Sequence, residues 1–267
     1  MDSKSQKIYI VGAGVSGLIA ALTLEGNGFS PIILESTDRA GGRVKTDVVD
    51  GFQLDHGFQV LLSSYEAAQK YLNYDSLNLQ EFKSGSCIFI DGKQRLIGDP
   101  LRDSSVLFST LFSGIGSFSD KLKILKLNKS LKKKSISDIF NSDEITTLEY
   151  LRNLNFSSAV IEKFFRPFFT GIFLETSLET SSRMFEFVFK MFGEGSACIP
   201  EGGIEEISKQ LKNKLDRTNF RFNTKVKTIQ GNNIELENGE ILQSDYTIIA
   251  TEASHLISNL RNQQVDW

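Results

Sequence analysis

Cysteine and histidine are scarce in this sequence. Its 267 residues contain two cysteines, Cys87 and Cys198, which lie far apart and form no CxxC pair. This count excludes a disulfide framework and fits a reducing compartment, so we expect a cytoplasmic protein. The two histidines, His56 and His255, are too few for a histidine-based metal site, and we predict no bound metal.

The net charge is also small, because 30 lysines and arginines are balanced by 33 aspartates and glutamates, which leaves a formal charge of −3. The chain therefore has no overall attraction to nucleic acid, and we predict no such partner. Its 40% hydrophobic and 24% charged residues are typical of a globular protein and exclude disorder, collagen and coiled coil. A chain of this length forms one large domain or two small ones.

One apolar run extends from Ile8 to Leu24 and is preceded by Lys4 and Lys7. A secretory signal has a similar layout, and a membrane span needs about 18 or more apolar residues. Glycines recur too regularly along this run for either. The pattern instead predicts a strand at 7–11, a glycine turn, a helix at 15–24 and a second strand at 32–34.

The turn has the pattern GxGxxG, with Gly12, Gly14 and Gly17 as its glycines. Between a strand and a helix, the first glycine allows a tight turn and the second lets a pyrophosphate approach the backbone. The third allows the helix to pack closely on the strand. The N–H groups at the helix start, around Val15 and Ser16, would then bind phosphate. The alternative is a glycine-rich turn without a ligand.

An acidic residue, Glu35, follows the second predicted strand. An acid at that point accepts hydrogen bonds from a ribose 2′-hydroxyl and repels a 2′-phosphate. The sequence thus predicts a dinucleotide with an unphosphorylated adenosine ribose, either FAD or NAD. Arg39, a few residues later, is expected to form an exposed ion pair with Asp38 or Glu35.

The residues after Glu35 carry a family resemblance. Ser36 opens the run STDRAGGRVKT, which contains Gly41, Gly42 and Arg43. The combined pattern GxGxxGxxxAxxLxxxG…E…RxGGRxxT resembles the N-terminal signature of the flavin-containing amine oxidase superfamily, which includes protoporphyrinogen oxidases and phytoene-type desaturases. The resemblance implies FAD rather than NAD, with these four residues lining the cofactor.

Later segments are similar to the same family in the same order. The stretch DHGF contains His56 and Gly57 and resembles a segment that runs close to the flavin, although a local hydrogen bond is the alternative for His56. Further on, the resemblance places the backbone of Val226 at the adenine. It also places Ala250 and Thr251 beside the cofactor.

The middle of the chain, residues 81–199, is dominated by helical patterns. These predict helices at 103–112, 119–134, 145–154, 157–170 and 180–192, after a hairpin of strands at 86–90 and 94–97. Nine phenylalanines fall between Phe164 and Phe192, at a spacing typical of a core, although they could line a cavity for an apolar substrate. Arg166 pairs with Glu162 or Glu175, or else presents its charge to a substrate.

Seven lysines fall in the fourteen residues from Lys121 to Lys134. At helical spacing, Ile124, Leu127 and Leu131 share one narrow face. A solvated helix that packs by this face is one interpretation, and peripheral contact with an anionic membrane is the other.

The sequence as a whole predicts an α/β protein. Residues 1–80 and 200–267 form a discontinuous, three-layer, Rossmann-like FAD-binding domain, and residues 81–199 form an inserted, mainly helical substrate domain. The resemblance implies an FAD-dependent oxidoreductase that oxidises a C–N or C–C bond of a largely apolar small molecule. No residue is assigned as catalytic, because the flavin carries the redox chemistry in such enzymes.

Two alternatives stay open at this point. One is an NAD-dependent dehydrogenase. The other is a non-catalytic dinucleotide-binding fragment, since the chain resembles only the first part of a family member.

Overall fold

The computed structural model describes residues 6–57, 60–83, 85–90, 92–98, 116–252 and 256. Contacts among them divide the chain into two units. The first unit comprises the described residues of Met1–Leu61, Glu66–Gln80 and Ile199–Trp267. The second comprises those of Leu62–Tyr65 and Glu81–Cys198.

The strands in the described part of the chain are all short. In chain order they are β1 (Ile8–Val11), β2 (Ile32–Leu34), β3 (Thr46–Val49), β4 (Phe52–Asp55), β5 (Leu61–Leu62), β6 (Leu79–Glu81), β7 (Gly85–Ile90), β8 (Lys93–Gly98), β9 (Ala197–Pro200), β10 (Asn219–Arg221), β11 (Val226–Gln230), β12 (Asn233–Leu236), β13 (Ile241–Gln243) and β14 (Tyr246–Ile249).

The helices are concentrated in the second unit. In chain order they are α1 (Val15–Gly26), α2 (Glu66–Tyr71), α3 (Tyr74–Leu77), α4 (Phe118–Lys133), α5 (Ile136–Phe140), α6 (Thr147–Asn153), α7 (Ser158–Val160), α8 (Arg166–Phe173), α9 (Ser182–Glu194) and α10 (Glu205–Lys212). No helix among the residues described is both long and apolar enough to cross a bilayer.

A four-stranded parallel sheet forms the centre of the first unit, in the order β10-β2-β1-β14. Ile10 of β1 is opposite Ile33 on one side and Ile248 on the other. All four residues of β1 are buried, as expected for a parallel strand that is covered on both faces. The sheet thus joins the start of the chain to strands that lie more than 200 residues later.

The two faces of this sheet pack against different elements. The antiparallel sheet β11-β12-β13 contributes Val226 and Ile234 to a core shared with Tyr9, Val11 and Leu34. Side chains alternate along a strand, so the neighbours of Tyr9 and Val11 point to the other face. Helix α1 packs on β1 and also contacts α10. Helices, parallel sheet and antiparallel sheet make three layers, and the predicted α/β class is confirmed.

The second unit has a core of aromatic and aliphatic side chains from α4 and α6–α9, together with the segments that link them. Its buried members are Leu127, Leu131, Leu151, Phe156, Val160, Ile161, Phe165, Phe169, Leu178, Phe185 and Val188. The mainly helical character predicted for this region is confirmed. The helices predicted at 119–134, 145–154 and 180–192 agree with α4, α6 and α9 to within two residues at each end. The helix predicted at 103–112 lies outside the described residues.

The stretch predicted as one helix at 157–170 is interrupted by a π-helical turn, Ile161–Phe165, between α7 and α8. Pro167 comes two residues after this turn and has no N–H to donate to it, yet α8 continues through Pro167 to Phe173. The helical stretch therefore does not end at this proline, and the predicted kink stays a prediction.

Candidate functional site

The glycine turn between β1 and α1 is held by close backbone contacts. Gly12 has a φ of +104°, and a Cβ atom there would lie 3.0 Å from the carbonyl oxygen of Ala250. A Cβ on Gly17 would lie 2.0 Å from the carbonyl oxygen of Gly12, which is shorter than any non-bonded contact. The first and third glycines are therefore required by this turn, whereas a Cβ on Gly14 would meet only the Cα of Gly42, at 4.0 Å.

Helix α1 presents an open N-terminus. Its N-cap is Gly14, which has no side chain to bond the first N–H groups, and no acidic residue lies in the first turn. Those N–H groups and the positive end of the helix dipole are thus available to an anion. Val15 is half-buried and Ser16 is exposed, so solvent reaches this end of the helix. A phosphate group matches such a site.

A second glycine segment lies against the first. The N–H of Gly41 donates to the carbonyl oxygen of Ala13 at 2.9 Å, and Gly41 forms an isolated parallel bridge with Gly14. The next two residues, Gly42 and Arg43, are exposed. The structure thus brings together both predicted glycine segments, with Arg43 exposed two residues after Gly41.

Glu35 is buried at the end of β2 and has more partners than the sequence indicates. One carboxylate oxygen accepts the N–H of Ala13 at 2.8 Å. The other accepts the N–H of Thr37 at 2.9 Å and its hydroxyl at 2.8 Å, with the Ser36 hydroxyl at 3.3 Å. Each carboxylate oxygen has two lone pairs, so the oxygen bonded to Ala13 can still accept a ribose hydroxyl.

The C-terminal part of the chain adjoins the same strand ends. The N–H of Thr224 donates to the carbonyl oxygen of Glu35 at 2.8 Å, two residues before Val226 begins β11. The side chain of Val226 is buried in the core. The N–H of Ala250 donates to Val11 at 2.9 Å, and Thr251 follows it, exposed. Val226 thus comes two residues after the one bonded to Glu35, and Ala250 lies beside Gly12.

Arg39 forms the expected exposed pair with Asp38, at 3.9 Å, but its shorter bonds are to Glu205, at 3.0 Å, and to Asp47. The side chain of Glu205 is 7% exposed, so this pair is not a loose surface contact. The expected partner Glu35 is occupied by Ala13 and Thr37 instead.

Thr46 and Glu205 bond each other reciprocally, which the sequence did not reveal. The N–H of Thr46 donates to the Glu205 carboxylate at 3.2 Å, and the Glu205 N–H donates to the Thr46 hydroxyl at 3.0 Å. That hydroxyl donates in turn to Asp55. The loop that carries Gly42 and Arg43 is therefore tied at its end to the N-terminus of α10. Thr46 is the threonine of the RxGGRxxT pattern, and that pattern was the one feature of the sequence that indicated this contact.

His56 makes the local hydrogen bond that was the alternative for it. Its Nε2 lies 2.8 Å from the carboxylate of Asp47, and the ring is 46% exposed. This bond and the one from Arg39 lower the pKa of the Asp47 carboxyl. Gly57, the next residue, has a φ of +74°. Nearness of either residue to a flavin stays a prediction.

The second unit places its predicted residues mainly in structural roles. Phe165, Phe169 and Phe185 are fully buried and the other six phenylalanines of the stretch pack around them, so the core interpretation is confirmed. Arg166 donates two bonds to Glu162, at 2.7 and 2.9 Å, as one alternative predicted. An open groove in this unit is lined by Cys87, Ile88, Phe89, Glu162, Lys163, Phe164, Pro167 and Phe168.

The described residues contain no cluster of three or more histidine, cysteine, aspartate or glutamate side chains that could hold a metal ion.

Comparisons with known proteins agree with this geometry. A family model described as flavin containing amine oxidoreductase matches residues 15–264. An L-amino-acid oxidase from Protobothrops flavoviridis is 27% identical over 274 residues, which cover 93% of this chain and 52% of the relative. Another, from Trimeresurus stejnegeri, is 32% identical over 159 residues, which cover 56% of this chain and 31% of the relative. The chain thus spans about half, or less, of the length of these relatives.

Solved structures show the same fold. An oxidoreductase from Methanosarcina mazei aligns with a TM-score of 0.68 at 21% identity, over 95% of this chain and 61% of that one. A putrescine oxidase bound to putrescine aligns with a TM-score of 0.64 at 19% identity, over 93% and 58%. Since the family model covers nearly the whole chain, this protein belongs to the flavin containing amine oxidoreductase family, and FAD is the cofactor that this membership indicates.

Proposed function

We propose that the first unit binds FAD across the two glycine segments and serves an oxidoreductase reaction. The observation that carries the proposal is the contact of Gly14 with Gly41 at the open end of α1. Gly14 and Gly41 have no side chains to cover the backbone there, the positive end of the helix dipole lies at this point, and Arg43 is exposed two residues after Gly41. These features suit a pyrophosphate.

In this proposal each predicted residue has a part in holding the cofactor. The pyrophosphate is bound by Gly12, Gly14, Val15, Ser16, Gly17, Gly41, Gly42 and Arg43. Glu35 and Ser36 hold the adenosine ribose, and the backbone of Val226 lies at the adenine. His56, Gly57, Ala250 and Thr251 line the remainder of the cofactor. When bound, FAD supplies the acceptor for a hydride removed from substrate.

The reaction we propose is oxidation of a C–N or C–C bond in a largely apolar small molecule. The apolar preference is supported by the groove of the second unit, where Phe89, Phe164 and Phe168 are among the lining side chains. The L-amino-acid oxidases that the chain resembles support the C–N choice.

A cofactor titration tests the first part of the proposal. Purified protein should be yellow or bind added FAD. Glu35→Ala should lower FAD affinity about 10- to 150-fold, because a hydrogen bond to a charged group contributes roughly 1.5–3 kcal/mol. It should lower adenosine affinity similarly. Arg43→Ala should weaken FAD but leave adenosine binding unchanged, and Arg152→Ala, an exposed arginine of the second unit, is the control.

The Glu35→Ala variant must also be tested for stability. Glu35→Ala also leaves the buried N–H of Ala13 without its acceptor, so the variant should lose stability as well as FAD affinity. A loss of roughly 1–3 kcal/mol in the free energy of unfolding should accompany the variant. Urea denaturation of the apoprotein measures that loss separately. Equal FAD affinity in the folded wild type and Glu35→Ala would contradict the ribose role.

Substrate oxidation is tested by anaerobic bleaching of the flavin absorbance. L-phenylalanine, an apolar C–N substrate, should bleach it, and putrescine should not. Bound FAD that no amine or polyene bleaches would favour the non-catalytic binding fragment. Colourless protein that binds NADH would favour the dehydrogenase.

A further inference from the structure

The lysine-rich helix α4 has apolar side chains on two opposite faces. On one face Leu127 and Leu131 are 5% and 2% exposed and belong to the core of the second unit, with Ile124 packed beside them. This is the face that the sequence periodicity identifies. Because it is already buried in the protein, it cannot also contact a membrane.

The other face is exposed. Phe118, Leu122 and Leu125 are 67%, 52% and 41% exposed. Their spacing of four and three residues puts them on one line along the helix, at about 100° per residue. Single exposed apolar residues are ordinary on a protein surface, but three in line form a continuous stripe. We call this line the outer stripe.

Positive charge continues and flanks the outer stripe. Lys129 and Lys132 extend the line, Lys126 and Lys133 lie beside it, and all four are exposed. None of the four takes part in an ion pair among the described residues. The face thus combines apolar side chains with unneutralised lysines.

The one acid of the helix, Asp120, does not offset this charge at the surface. Asp120 is 1% exposed, and its carboxylate accepts bonds from Ser117 and Ser157 on the inner side. The outer stripe therefore presents charge of a single sign.

We infer that the outer stripe docks on an anionic lipid bilayer. Its apolar side chains would enter the boundary of the acyl chains while the lysines bind headgroup phosphates, the arrangement of an interfacial helix. Two cationic faces repel each other, which disfavours a second copy of this chain as the occupant. The inference uses residues of the second unit alone and does not depend on FAD binding.

Vesicle cosedimentation of the full chain tests it. We expect binding to equimolar phosphatidylcholine and phosphatidylglycerol, and little binding to phosphatidylcholine alone. Leu122→Gln with Leu125→Gln should lower the partition coefficient about tenfold or more. Glutamine is nearly as good a helix former as leucine, so α4 should persist, which circular dichroism checks. Met184→Gln, at a 39% exposed apolar residue of α9, is the matched control and should change nothing.

A second set of variants tests the contribution of the lysine charges. Each lysine near an anionic surface contributes about fivefold in affinity, so neutralising Lys126, Lys129 and Lys132 to glutamine should lower partitioning about 100-fold. The matched control is Lys225→Gln with Lys227→Gln, two exposed lysines of the first unit.

Three results would overturn the inference. The first is no binding to anionic vesicles. The second is binding that falls with the lysines but not with the leucines, which would mean electrostatic adsorption without insertion. The third is self-association, seen by sedimentation velocity, that Leu122→Gln with Leu125→Gln abolishes, since the stripe would then bind a second copy.

Discussion

The two units are held by different kinds of contact. In the first, the decisive contacts join backbone atoms, such as the N–H of Gly41 and the carbonyl of Ala13. In the second, aromatic rings fill the interior, and the centroids of Phe169 and Phe185 lie 4.7 Å apart. The first unit should therefore be sensitive to an added atom at its glycine turn, and the second to atoms removed from its core.

Removal of a core ring should give the largest effect. Phe169→Ala takes away a fully buried side chain that contacts several other rings, and it should lower the free energy of unfolding by about 3–5 kcal/mol. Urea denaturation measures the loss. Phe89→Ala, at a 71% exposed phenylalanine of the same unit, is the control and should leave the midpoint nearly unchanged. Equal losses in the two variants would show that the rings do not pack as described.

An added methyl group in the glycine turn should come next. Gly17→Ala puts a Cβ 2.0 Å from a backbone oxygen that has little freedom to move. Overpacking typically destabilises by about 1–3 kcal/mol, and we expect the upper end here, together with loss of FAD binding. Urea denaturation and FAD titration are the measurements. Normal FAD affinity in this variant would contradict the geometry of the turn.

The buried carboxylate of α4 gives a smaller effect that depends on pH. Burial alone would raise the pKa of Asp120, but the N–H and hydroxyl groups of Ser157 and Ser117 outweigh it and lower the pKa from 3.8 to about 2. A lowered pKa stabilises the fold above pH 4, by about 2 kcal/mol, and this contribution is lost as the pH falls towards 2. Asp120→Asn should therefore be less stable than wild type at pH 5 and nearly equal to it at pH 2.

The control for this variant is Asp138→Asn. Asp138 occupies the same position in the capping box of α5 but is exposed. Its effect in urea denaturation at pH 5 should be the smaller of the two. The reverse order would contradict the role given to burial.

The smallest effect should be a gain. Gly26 lies in α1, as Gly17 does, but a Cβ there would meet nothing within 4 Å. Gly26→Ala should raise stability by about 0.4–1 kcal/mol, because it reduces the freedom of the unfolded chain. The same substitution at two glycines of one helix should thus change stability in opposite directions. A gain in both would mean that helix propensity, and not the close contact at Gly17, decides the result.

Local patterns made much of the first unit predictable. The strand predicted at 7–11 is β1, and the strand at 32–34 is β2, because glycine spacing and short apolar runs act within a few residues. The remainder of the first unit depends on contacts between residues that are far apart in the sequence, and local patterns do not predict those contacts. Strands β10 and β11 are separated because Thr224 bonds to Glu35 and Asn223 takes a φ of +51°, and no local pattern predicts these two features.

The candidate site shows the same limit. Glu35 could be identified from its place after β2, and its partner Thr37 lies only two residues further on. The buried partner of Arg39 could not, because Glu205 is 166 positions away and no local pattern connects the two. Asp38 and Glu35 are nearer in sequence, yet α10 brings a buried carboxylate closer in space. The sequence thus identifies Arg39 as a charged residue of this region, but it does not identify Glu205 as the partner.

The order of strands in the parallel sheet has a consequence for synthesis of the chain. Ile8 pairs with Tyr246, so one edge of β1 has no partner until nearly the whole sequence has been translated. At about 5–20 residues per second, roughly 10–50 seconds pass between these two events on the ribosome. During that interval an apolar strand with unpaired N–H and C=O groups is open to mispairing. Slow or chaperone-assisted maturation of the nascent chain is the expected outcome of placing the first strand at the centre of the sheet.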